Sequence, residues 1–335
     1  MNATPSSALK HLHPGWALPV LALGALALAW LEAAPLLGDL AGAGALVLTA
    51  VAGTAAVVLA VASLVRWQRY PQALADDLKH PARHGWVAAM PSALVLLGSL
   101  GAALLGPNPW FGGLWGVGSA WNFGVAAWLC GRWLRPGAAG AGFWAGVTPI
   151  LWVAVTGLCL AALAGPGLDF EAMALAQLGV GVLLGVLTLG LLAVRLATSG
   201  VWSERLLPTL FLGAAPPAVC GLVAAQPGGS LPWAWMAWGI ALFALLWSGA
   251  VLRRVLAQPI GLTFWAPAVS LALFAALSLR LAPTAGGLFQ TFALLTLAVA
   301  SLLVAVLTLA TVKGLREGSW LGPETVAALQ VAAER

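Results

Sequence analysis

Ten stretches of this chain are long and apolar enough to cross a lipid bilayer, and proline sorts among them by parity. A helical span needs about 20 apolar residues. By that measure the spans run approximately over 16–34, 42–65, 86–105, 111–133, 143–165, 171–197, 207–225, 232–254, 260–282 and 286–312. Pro19 lies in the first, Pro91 in the third, Pro149 in the fifth, the pair Pro216–Pro217 in the seventh and Pro267 in the ninth. The other fifteen of the 21 prolines fall in loops, tails or segment ends, and no even-numbered span has one inside it. A proline within a helix lacks its own N–H and clashes with the carbonyl four residues back, so it kinks the helix. Inside a bilayer such backbone is tolerated where it is buried in protein or faces water. The pattern therefore predicts an all-α integral membrane fold of ten transmembrane helices, arranged as five helical hairpins. Each hairpin is a kinked helix followed by a straight one. The five kinked helices form a quasi-fivefold inner ring around a central pore, shaped by Pro19, Pro91, Pro149, Pro216, Pro217 and Pro267. That architecture points to a channel or transporter and away from an enzyme.

Composition agrees. Of 335 residues, 61% are hydrophobic and 7% charged, against about 25% charged in an ordinary soluble domain. Connections are short, so one channel domain spans 14–317, with tails at 1–13 and 318–335. The first apolar run is too long for a signal-peptide core and is followed by further spans, so it reads as the first helix. On the tail from 318 a short amphipathic helix is expected. Fourteen of the fifteen Lys and Arg residues fall on the side of the amino terminus; Arg280 is the exception. Positive residues stay inside, which predicts a multi-pass cell-membrane protein with both termini cytoplasmic. The net charge of +5 is mostly this topological signal. Spread over short loops, it makes no nucleic-acid face.

No charged residue occupies the middle of a span. Glu32, Asp39, Asp169, Glu171 and Arg280 sit at outer ends or loops, and the remaining acidic residues are cytoplasmic. Proton-coupled carriers usually hold a titratable group within the bilayer. The polar inventory here is hydroxyls and amides, among them Asn122, Thr156 and Gln177. Such a lining passes a weakly hydrated ion without binding it tightly, which suits a channel. Ser92, Thr148 and Ser270, near the prolines, are the candidates for pore lining. Carbonyls freed by proline do not attract anions, so the kinks argue for pore shape alone. A basic cytoplasmic mouth, with Arg83 in it, and the lack of an acidic ring favour anions over cations. Arg280 either concentrates anions at the outer mouth or snorkels to headgroups.

Three stretches carry a family resemblance. Leu207-Pro208-Thr209 followed by Ala215-Pro216-Pro217 resembles the "L-P-T … A-P-P" signature of the TehA/slow-type anion channel family, also called the tellurite-resistance/dicarboxylate transporter family. His80-Pro81-Ala82-Arg83 with Ala88-Ala89-Met90-Pro91 is similar to its entry to the third helix. Gly15-Trp16-Ala17-Leu18-Pro19 resembles its first helix. The resemblance implies a homotrimer with a pore in each protomer and an inner ring of helices 1, 3, 5, 7 and 9. It also implies permeation of small anions such as chloride and nitrate. In that family a phenylalanine of the ninth helix, in "W-x-F-[ST]-F", plugs the pore. This chain reads Trp265-Ala266-Pro267-Ala268-Val269, so Trp265 matches and neither phenylalanine is present. Either the pore is wider, or Phe264, Phe274 or another aromatic plugs it.

The expected function is thus passive conduction of chloride- or nitrate-like anions. The alternative is a proton-linked exporter of dicarboxylate, sulfite or tellurium oxyanions, against which the absence of an intramembrane titratable group counts. A third class is a membrane scaffold with a closed core. No metal or cofactor is expected. His80 and His84 are spaced i, i+4, with His11 and His13 nearby. Pro81 intervenes, however, and no carboxylate or thiol completes a set. The chain has no P-loop, haem ligand pair or dinucleotide fingerprint. Cys130, Cys159 and Cys220 lie in three different runs and read as small buried hydrophobes. The eighteen tryptophans read mostly as an aromatic belt, including Trp16, Trp86, Trp110, Trp233 and Trp235. Trp144, Trp152 and Trp265, on inner-ring helices, are placed to touch the pore.

Overall fold

The computed structural model describes residues 9–81, 83–134, 141–318 and 320–321. The amphipathic helix expected on the tail, Arg135 and Ala82 of the His80–Arg83 motif lie outside the described residues or largely so. Helix dominates, and among the described residues there is no strand. Ten principal helices are labelled in chain order: α1 (Leu18–Glu32), α2 (Asp39–Arg69), α3 (Ala89–Leu105), α4 (Pro109–Trp133), α5 (Trp152–Leu160), α6 (Glu171–Ser199), α7 (Ala215–Ala224), α8 (Leu231–Gly249), α9 (Trp265–Ala285) and α10 (Gly287–Arg316).

Eight segments are long and apolar enough to cross a membrane among the described residues, fewer than the ten expected. The two that differ are α4 and the stretch around α5. In α4, glycine and tryptophan dilute the apolar residues. The fifth segment is broken: a short helix Ala141–Gly146, then a 3-10 turn Pro149–Leu151, then α5, then another 3-10 turn Ala161–Leu163.

Odd and even helices differ sharply in burial. The apolar stretches containing α1, α3, α7 and α9 are 78%, 67%, 61% and 72% buried, whereas those of α2, α6, α8 and α10 are 17%, 17%, 17% and 33% buried. Every residue of α5 is buried. The even helices bury only a narrow stripe. In α8 it is Ala234, Ala241 and Ser248; in α10 it is Ala293, Thr296, Leu297, Ala300, Val304, Leu307, Thr311 and Gly314. This spacing keeps one line of a helix against its neighbour. The remaining surface is exposed and apolar, with Val57, Leu183, Phe243 and Leu302 among it, as a lipid-facing helix requires.

The five odd helices pack in a closed cycle. α1 meets α3, α3 meets α5, α5 meets α7, α7 meets α9, and α9 returns to α1. Each even helix packs on the odd helix before it and also touches the next one round. Tight turns make the hairpins. Gly106 and Gly286 end α3 and α9 at φ 85° and 80°, a conformation open to glycine and costly for other residues. Beyond the first of these, Asn108 Oδ1 accepts from the Trp110 and Phe111 amides at 3.0 and 3.1 Å and caps α4. The α3–α4 pair needs glycine on both sides. A Cβ on Gly98 would lie 2.8 Å from the Trp115 nitrogen, and one on Gly118 would lie 2.8 Å from the Val95 nitrogen.

Tryptophan departs from the belt reading. Trp110 and Trp233 are exposed at 86% and 63%, but Trp16 and Trp86 are buried. Several indoles instead tie inner to outer helices. Trp30 donates to Ser301 at 3.1 Å, Trp238 to Ser278 at 2.9 Å and Trp115 to the Ala161 carbonyl at 3.1 Å. A buried indole N–H needs a partner, and these hydroxyls and carbonyls supply one.

Candidate functional site: the interior of the helix ring

The prolines occupy one recurrent position, which differs from the mid-helix kink expected. Each lies where a 3-10 stretch becomes an α-helix. Pro19 follows the turn Pro14–Ala17, and Pro91 follows His84–Ala88. Pro149 opens the turn that leads into α5, Pro216 and Pro217 follow Glu204–Ala214, and Pro267 follows Leu262–Phe264. All fall in the first turn of their helix or just before it. There the fixed φ of proline suits the first turn, and the junction amides beside it, such as those of Leu18 and Ala89, bond to carbonyls of the preceding 3-10 turn. The inner segments are therefore composite rods, narrower 3-10 backbone at one end and α-helix at the other.

Outward contacts fix which face of three of the rods looks inward. In α9, Phe274 stacks on Trp238 at 5.6 Å and meets Phe292 at 6.3 Å, and Ser278 accepts from Trp238. Residues advance about 100° each, so Val269, Ala272 and Ala276 lie on the opposite face. In α1, Trp30 bonds α10, which turns Leu21 and Leu28 the other way. In α5, Val155 and Cys159 lie against α6, where a Cβ on Gly185 or Gly181 would contact them at 3.5 and 2.9 Å, while Gly157 faces Ser92 and Asn122. That leaves Thr156 and Leu160 facing inward. None of these inward residues exceeds 8% exposure. At these levels the inward faces of α1, α5 and α9 are closed to water, and aliphatic side chains with Thr156 make them up.

The three lining candidates sit elsewhere. Ser92 Oγ donates to the Ala88 carbonyl at 2.7 Å and lies 3.4 Å from Asn122 Oδ1 and 3.3 Å from the Val153 carbonyl, at the junction of α3, α4 and α5. Thr148 precedes the Pro149 turn, is 4% exposed and makes no capping bond. Ser270 lies four residues before Phe274, on the same side of α9; its buried Oγ has no hydrogen-bond partner among the described residues. The gate candidates are likewise held by outer helices. Trp265 starts the same face of α9 as Val269, Ala272 and Ala276, and its indole N–H donates to Thr311 of α10 at 3.1 Å. Phe274 belongs to the aromatic cluster of Trp235, Trp238, Phe289 and Phe292. Phe264 is half-buried at the amino end of α9. Trp152 faces Gly185 of α6 and Gly213; Trp144 packs edge-on against Phe143.

Charges gather at the two ends. Where α1 and α9 finish, Arg280 Nε lies 2.5 Å from Glu32 Oε2, and its Nη2 donates to Oε1 at 2.6 Å. Arg280 is thus a paired cation that staples the first inner helix to the last. At the opposite end Asp77, 2% exposed, accepts from Arg66 at 2.6 Å and Arg83 at 2.9 Å. Arg66 also donates to the carbonyls of Lys10 and Ala73. Arg132 holds the Leu78 carbonyl at 3.0 Å and lies over the Trp128 ring. His84 is buried, its Nδ1 3.1 Å from the His80 carbonyl, and among the described residues no three His, Cys, Asp or Glu side chains gather as a metal site. Sequence reading missed the Glu32 and Asp77 pairings, because residues 248 and 11 positions apart meet only after folding. It also missed Gly157, whose Cβ would sit 2.0 Å from Ser92 Oγ.

An all-helical membrane protein with buried odd helices, exposed even helices and charges confined to its ends is the class these features define. The family profile described as voltage-dependent anion channel matches residues 11–312, and the chain belongs to that family, which holds the slow-type anion channels and TehA-like proteins. No curated protein matches the chain by sequence.

Proposed function

We propose that this chain conducts small anions passively along the axis of its ring of five inner helices, as ten membrane spans in one domain over 14–317. The reading rests on one observation, the closed cycle of buried odd helices within a chain of an anion channel family, with no fixed charge between its two ends. Without a fixed counter-charge on the path, an ion that enters is not trapped. Proton coupling has no titratable side chain to work through in the interior. The aliphatic interior (Leu21, Leu28, Leu160, Val269, Ala276) acts as a distributed gate: a narrow apolar constriction excludes water and ions until it widens. This replaces a single aromatic plug. Both termini cytoplasmic and a homotrimer in the cell membrane are part of the proposal, supported by the charge asymmetry and by the family resemblance respectively.

Purified protein in chloride-loaded liposomes tests it. Current reversing at the Nernst potential of the anion supports a channel. Flux that demands a pH gradient supports the exporter instead. No flux, even from the interior variants Leu160→Ala and Val269→Ala, leaves a closed scaffold and overturns the proposal.

A further inference from the structure

Two of the three cysteines come together between neighbouring rods of the ring. Cys159 lies near the carboxyl end of α5 and Cys220 in the middle of α7, adjacent inner helices. The Cys220 thiol donates to Cys159 Sγ at 3.8 Å. Cys159 is fully buried and Cys220 half-buried. Room for Cys159 comes from Gly181 of α6, where a Cβ would stand 2.9 Å from the sulfur. Cys220 has an approach from outside. Gly213, Pro217, Cys220 and Ala224 form one half-buried stripe along the seventh segment, small enough for a small apolar reagent to follow. The two thiols are in van der Waals contact, and bonding requires the sulfurs to close from 3.8 Å to about 2.05 Å.

We propose that Cys159 and Cys220 form a reversible disulfide site that cross-links α5 to α7. The oxidant is a small, membrane-permeant disulfide, RSSR. The Cys220 thiolate attacks one sulfur of RSSR, forming a mixed disulfide and releasing RS⁻. The Cys159 thiolate then attacks the Cys220 sulfur, forming the Cys159–Cys220 bond and releasing the second RS⁻. The two protons lost by the cysteines are taken up by the two leaving thiolates, and RSSR is reduced to two RSH. Cys130 on α4 has no thiol partner in this arrangement and stops at the mixed disulfide. The inference concerns the thiols alone and stands apart from the transport reading.

The test treats the purified full chain in detergent with 2,2′-dithiodipyridine and reads intact mass and non-reduced peptide maps. The expected product carries a 159–220 linked peptide lighter by two hydrogen atoms, one thiopyridine at Cys130, and full reversal by dithiothreitol. Cys159→Ser should leave a stable thiopyridine adduct at Cys220. The proposal is overturned by a lasting adduct at Cys220 in the unsubstituted chain, by a link through Cys130, or by reaction of Cys130 alone. The measurement on the unsubstituted chain decides the matter even if a serine variant fails to fold.

Discussion

Glu32→Gln removes the charge from one side of the staple between α1 and α9 and keeps the side-chain shape. Glu32 is 9% exposed and Arg280 38%. Breaking a fully buried pair costs about 3–5 kcal/mol, because the surviving charge stays desolvated. Here the arginine head is more than a third exposed and reaches water or headgroups, which lowers the penalty. Glutamine Oε1 also still accepts from Nη2. Turning the one charge-assisted hydrogen bond into a neutral-acceptor bond under these conditions costs about 1–2 kcal/mol. Thermal unfolding in detergent, followed by tryptophan fluorescence, should show the midpoint falling by about 2–4 °C. The cycle of Glu32→Gln, Arg280→Gln and the double variant should give a coupling of at least about 1 kcal/mol. Additive effects within about 0.3 kcal/mol would refute the staple. The same variant frees the arginine charge at the ring's end. Under the anion-channel reading, conductance should rise at low ionic strength. The rise should vanish at 1 M salt, where the screening length is about 3 Å.

Other substitutions separate structural from gating roles. Phe274→Ala should destabilise by about 3 kcal/mol through the emptied space beside Trp238 without opening the path; a large conductance gain would restore Phe274 as a plug. Leu160→Ala and Val269→Ala should instead raise anion flux, and unchanged flux from both would place the constriction elsewhere. Trp265→Phe loses the Thr311 bond and leaves part of a buried indole site empty, about 2–3 kcal/mol together, and should leave single-channel current unaltered. Gly157→Ala should cost about 2 kcal/mol or more by overpacking against Ser92, with part of the loss recovered in the Gly157→Ala/Ser92→Ala double variant.

Much of the fold was legible before any coordinates. Hydropathy alone picks out eight of the ten expected membrane segments, since a bilayer imposes both a length and a polarity on anything that crosses it. Proline parity picked out the inner helices, and the burial of those same helices follows it. The reason for the proline was read differently: each sits at a 3-10 to α junction, where it fits the first turn.

Side-chain roles were less legible. The lining candidates Ser92 and Ser270 and the gate candidates Trp265 and Phe274 were chosen by residue type and nearness to proline. Which face of a rod turns inward is set by what its outer face touches, and only packing decides that. Trp238 and Phe292 claim the outer face of α9 through Phe274 and Ser278, leaving Val269 and Ala276 to the interior. The sequence by itself determined a membrane protein, its alternation of inner and outer helices and the distribution of charge to its ends, because those follow from period, length and solvent. Tertiary structure alone decided that Arg280 is paired, that Cys159 meets Cys220 and that aliphatic side chains make up most of the inward faces of α1, α5 and α9. Each depends on groups far apart in the chain, whose approach no local pattern encodes.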